Sequence, residues 1–72
     1  MSDARQAISV AKEAGAAELA ADALKAAVDY LQSAERYLNA SEYRYARRDA
    51  EQAKIKALEA LKRSASNEEN NL

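Results

Sequence analysis

Tyr43, Ala46, Ala50, Ala53, Ala57 and Ala60 follow one another at alternating spacings of three and four residues. At about 3.6 residues per turn, such positions return to one face, so the rhythm is the seam of a helix packed on another helix. Nearly every occupant is alanine, which lets a neighbouring helix approach to the short end of the ~8–10 Å interaxial range. A chain with this ladder folds by helix-on-helix contact. A row of methyl groups does no chemistry.

Nineteen of the 72 residues are alanine, glycine occurs once, and proline, phenylalanine and tryptophan are absent. Alanine, leucine, lysine, arginine, glutamate and glutamine are the strongest helix formers, so the chain reads as all-α. The large apolar side chains that could build a core are Ile8, Val10, Leu19, Leu24, Val28, Leu31, Leu38, Ile55, Leu58 and Leu61, with Tyr30, Tyr37, Tyr43 and Tyr45. A single core of this size supplies no more than ~3–5 kcal/mol, and without cysteine no disulfide adds to it. Tight packing must suffice, or self-association completes the fold.

The expected architecture is a small antiparallel three-helix bundle, with helices at about 3–14, 21–39 and 42–65 in a single domain spanning 2–65. Ser2 is placed to N-cap the first helix, and Gly15 suits the left-handed position that ends it. Residues 16–20 then form a connector that drops Leu19 into the core. The second helix presents Leu24, Ala27, Val28, Leu31, Ala34 and Leu38, and Ser41 is placed to N-cap the third. Arg47–Glu51 and Glu59–Arg63, at i,i+4, are positioned to pair. Residues 66–72 are polar and expected to be a disordered tail. The alternative is a long two-helix hairpin, because Val10, Ala14, Ala17, Ala21 and Leu24 keep heptad register through Gly15. In the three-helix arrangement the first helix covers only the far half of the hairpin, leaving its tip open.

That tip carries the one cluster with the composition of a contact surface: Arg36, Tyr37, Tyr43, Arg44, Tyr45, Arg47 and Arg48. Tyrosine and arginine dominate interface hot spots because each joins large area to a polar handle. Tyr43 sits on the seam, so its plainer role is to plug the core, and Tyr37 is similar. Tyr45 and Arg44 point away from the seam and are solvated unless a partner covers them. The same arginines and aromatics could grip a single strand of nucleic acid, but a pI of about 5.4 lacks the basic footprint of such binders. Catalysis is not expected: there is no histidine, cysteine or glycine-rich loop, and Asp49 and Glu51 face different ways. No metal, cofactor or small-molecule substrate is implied.

Ser2-Asp3-Ala4-Arg5-Gln6-Ala7-Ile8, followed by Ala14-Gly15-Ala16-Ala17, resembles an alanine-rich family of unknown function from bacterial envelopes. The stretch from Leu38 to Ala53 is similar to that family's second signature, an Ala-Gly-Asp-Tyr-type turn leading into Ala-Arg-x-x-Ala-Glu-Gln-Ala, here Ala46-Arg47-Arg48-Asp49-Ala50-Glu51-Gln52-Ala53. The likeness covers most of residues 2–60. Two departures stand out: Ala21 occupies a position often held by proline, and Ser41-Glu42 replaces Gly-Asp.

Members of that family are typically lipoproteins or periplasmic proteins, sometimes fused to OmpA-like domains. The resemblance therefore implies a periplasmic protein anchored to the outer membrane through a lipidated cysteine upstream of Ser2, with Met1 an added start. Peptidoglycan binding does not carry over, because no OmpA-like segment is present. The expected function is a non-catalytic structural or protein-interaction module that packs a helix face against a protein partner or a second copy. The alternative is a cytoplasmic nucleic-acid- or anion-binding helical hairpin that uses the Tyr/Arg cluster.

Overall fold

Four α-helices follow in order in the computed structural model, which describes residues 2–70 and the side chains of 2–65: α1 (Ser2–Glu13), α2 (Ala16–Leu19), α3 (Ala21–Asn39) and α4 (Tyr43–Asn70). No strand occurs among the described residues. Three of the helices are long, so the all-α bundle is as expected and the two-helix alternative is overturned. The break lies at Gly15, whose φ of +88° is the left-handed conformation that only glycine adopts without strain. Its N–H donates to the Lys12 carbonyl at 3.0 Å, closing the end of α1.

The connector is more structured than expected. Residues 16–19 make one helical turn, and Ala20, at φ −147°, turns the chain into α3. This geometry sends Ala16 and Ala20 inward, at 0% and 1% exposure, and turns Leu19 outward. Leu19 is thus not a core residue. α1 already includes Ser2, so the expected N-cap is itself helical. α4 continues to Asn70. Of the tail expected to be disordered, residues 71–72 and the side chains of 66–70 lie outside the described residues.

The second reversal is not the serine cap read from the sequence. Ser41 adopts φ +61°, its N–H donates to the Leu38 carbonyl at 3.0 Å, and Glu42 N–H donates to the Tyr37 carbonyl at 2.8 Å. These two bonds form the Schellman motif that terminates α3. Ser41 therefore closes the helix before it instead of opening the one after.

α3 and α4 run antiparallel, as the partners Asp22–Arg63, Ser33–Asp49 and Tyr37–Tyr45 show from the far end to the tip. α1 lies alongside α4 in the same direction: Asp3 meets Lys54, while Ala7 and Val10 share a groove with Leu58 and Leu61. Arg5 reaches across to Glu35 on α3. The core sits at the far end, where Ala7, Ile8 and Ala11 meet Ala16, Ala20, Ala23, Leu24, Ala27, Ala57 and Ala60, with Val28, Leu31 and Leu61 packed around them. Ala46, Ala53, Ala57 and Ala60 are at most 3% exposed, and Ser64 prolongs the seam with its hydroxyl donating to the Ala60 carbonyl. Ile55 and Leu58, both potential core residues by sequence, are instead 48% and 46% exposed: Ile55 lies on the side of α4 turned from the seam, and Leu58 edges the groove with α1. The molecule is a rod of 48 × 16 × 15 Å. Among the described residues no helix is long and apolar enough to cross a membrane.

Candidate interaction surface

Because α1 begins beside Arg47, Ala50 and Lys54, the first turn of α4 and the last turn of α3 project beyond it. The alanine seam has neighbours on only one side there. Leu38, expected on the buried face of α3, is 44% exposed, and Tyr43, expected as a core plug, is 64% exposed. Both departures have one cause: periodicity places these residues on the seam, but no third helix reaches far enough to cover them. Together with Ala46, Arg47 and Ala50 they line an open groove of about 380 Å³.

The other flank of the tip is knitted together. The Tyr37 and Tyr45 rings lie with centroids 5.4 Å apart, tilted by 32°. Arg48 holds its guanidinium 5.1 Å from the Tyr45 centroid, a cation–π distance. The same guanidinium lies 3.6 Å from Asp49, whose carboxylate accepts a 2.6 Å hydrogen bond from the Ser33 hydroxyl. Asp49 is only 6% exposed. A carboxylate at that depth is costly unless it is hydrogen-bonded, and here Ser33 supplies the bond. Tyr37 is therefore half-buried against a second ring and is not a core plug, while Tyr45 points outward, as its place in the helix requires.

Sequence reasoning missed the Ser33–Asp49 link. The signal was available, since Asp49 stands three residues after Ala46 and thus borders the seam. The i,i+4 pairs expected on α4 do not form: Arg63 bonds Asp22 of α3 at 3.1 Å instead of Glu59, which pairs with Lys56, and Arg47 has no acidic partner among the described residues. The Arg63 hydrogen bond holds the Asp22 carboxyl below its ordinary 3.8, and Asp22 in turn raises the guanidinium.

The seven cluster residues thus separate. Tyr43 and Arg47 line the groove, and Arg44 lies within one turn of Arg47 on the exposed side of α4. Tyr37, Tyr45 and Arg48 form the stacked flank. Arg36 is about 200° around α3 from the buried Ala34, facing away from α4, and is not part of either group. Arg36, Arg44 and Arg47 are the three arginines that make no ion pair among the described residues, and all three are at the tip.

The groove and stack offer a surface for contact: exposed aromatic area, a shallow apolar trough and guanidinium groups free to bond carboxylate or phosphate. No curated protein and no solved structure matches the chain. A sequence profile described as Domain of unknown function (DUF4398) matches residues 1–71, nearly the whole length, and the chain belongs to that family.

Proposed function

We infer that this chain is a non-catalytic structural or protein-interaction module of a bacterial envelope lipoprotein, acting by packing a helix face against a protein partner. The observation that carries the interaction reading is the uncovered tip: Leu38 and Tyr43 stand exposed around a trough continuous with the buried alanine ladder. Exposed apolar area rimmed by polar groups is characteristic of contact sites. The envelope reading rests on the two signatures at Ser2–Ala17 and Leu38–Ala53, and the family match is compatible with it. On this reading the periplasmic module reaches the outer membrane through a lipid anchor borne outside residues 2–72, and it takes no small-molecule substrate.

The test uses the natural gene with its upstream region. Metabolic labelling with palmitate and fractionation should place a lipidated product in the outer-membrane fraction, and a photo-crosslinker at Tyr43 should capture a protein there. An unlabelled product confined to the cytoplasm sinks the envelope part. A photo-crosslinker that captures nothing at Tyr43 or at other tip positions sinks the interaction part.

A second reading, a cytoplasmic nucleic-acid- or anion-binding hairpin, draws support from the unpaired arginines beside exposed tyrosines. It requires salt-dependent binding to single-stranded oligonucleotides that is lost with Arg47→Ala plus Arg48→Ala. Absence of binding at low salt eliminates it.

A further inference from the structure

We propose that the tip groove is a docking site for an acidic peptide segment of a protein partner, one apolar side chain seated between Leu38 and Tyr43 and flanking carboxylates held by Arg44 and Arg47. This rests on the interaction reading above and names the chemistry of its partner.

The argument begins with charge. Residues 36–48 contain four arginines and one acidic residue, Glu42, in a chain whose net charge is −1. The tip is therefore a cationic cap on a net-negative body. An acidic segment is drawn to this end and repelled from the rest of the rod. A second copy approaching tip to tip would bring arginines against arginines, so the same charges disfavour a symmetric dimer here.

The groove then selects among anions. Arg48 is committed to Asp49 and Tyr45, whereas Arg44 and Arg47 make no ion pair among the described residues and keep their forked donors available for carboxylates. The trough between Arg47 and α3 is walled by Leu38, Tyr43, Ala46 and Ala50, and at about 380 Å³ it has room for a large apolar side chain together with part of the segment that carries it. An apolar anchor with acidic neighbours satisfies both halves of the site. Nucleic acid matches the site less fully: Tyr45 is engaged with Tyr37 and Arg48, which leaves Tyr43 as the tip ring open to a base, and a base stacked there leaves the apolar wall of Leu38, Ala46 and Ala50 without a partner.

The experiment pans a display library of random 12-residue peptides against the full chain and measures the enriched peptides in solution by anisotropy. Enriched sequences should carry several Asp or Glu around one large apolar residue. Their affinity should fall at least tenfold with Arg44→Glu plus Arg47→Glu and with Tyr43→Ala, while Ile55→Ala leaves it unchanged. All four positions are exposed, and circular dichroism checks that each variant remains helical. Arg44→Lys plus Arg47→Lys keeps the charges but gives up the forked donors, so it should bind more weakly than the parent and more tightly than the glutamate pair, which separates charge from general disruption. Enrichment without acidic bias, or binders indifferent to the tip substitutions, overturns the proposal and leaves the interaction reading to its crosslinking test. An oligothymidylate probe that binds through the same arginines more tightly than every peptide overturns it in favour of nucleic acid. No enriched peptide overturns it outright.

Discussion

Two residues with left-handed backbones set the chain's reversals, and they differ in how well they suit that conformation. Gly15 pays no Cβ penalty at φ +88°, and a methyl group added there would meet only Leu19 Cδ1, at an ordinary 3.7 Å. The cost of Gly15→Ala is therefore conformational, about 1–2 kcal/mol, and should appear as a lower thermal midpoint with unchanged helicity below the transition. Ser41 bears the same penalty already. Ser41→Gly should relieve about 1–2 kcal/mol of left-handed strain against ~0.5–1 kcal/mol of added unfolded-state entropy. A net stabilisation of roughly 0.5–1 kcal/mol follows from those two terms, a rise of several degrees for a domain this small. A chemical-denaturation midpoint at or below that of the parent would contradict it.

At the scale of the helices, the alanine ladder is the device that brings α3 and α1 onto α4. Ala53 is fully buried, so Ala53→Leu inserts three carbons where no space exists and should cost ~1–3 kcal/mol. An unchanged melting temperature would mean that the seam faces solvent. The helix types, the break at Gly15 and the seam from Ala46 to Ala60 were all legible in the sequence, because each follows from local propensity or periodicity. Leu19, Leu38 and Tyr43 were not. Periodicity put Leu38 and Tyr43 on the seam, yet at the open tip, itself expected from the helix lengths, that face is left uncovered, and Leu19 is turned outward by the single turn of α2, which no periodicity announces. Ser41 was misread for a related reason: serine is favoured at N-caps, and nothing in its identity reveals a positive φ. Sequence shows of Asp49 only that it does not pair with Glu51, since its buried partner, Ser33, lies sixteen residues earlier on the opposing helix.

For the whole molecule, the far end is clasped by Asp22 and Arg63, joining the first turn of α3 to the last described side chains of α4. The Arg63 hydrogen bond lowers the Asp22 carboxyl below its ordinary 3.8. Since the folded value lies below the unfolded one, the pair's contribution is present above pH 3.8 and is lost as the pH falls through the lowered value. Asp22→Asn should flatten part of the decline in melting temperature below that pH and change little at pH 7, where an exposed pair is weak. A parent and variant with superimposable acid profiles would show that the clasp contributes nothing.

The placement of the tyrosines gives the protein a built-in optical division of labour. Tryptophan is absent, and three of the four tyrosines stand at the tip, two of them with rings 5.4 Å apart. Near-ultraviolet dichroism and tyrosine fluorescence thus report chiefly on the hairpin tip, while the far-ultraviolet signal reports on the whole helical rod. A spectrometer can follow the proposed contact surface and the scaffold separately, in the same unlabelled sample.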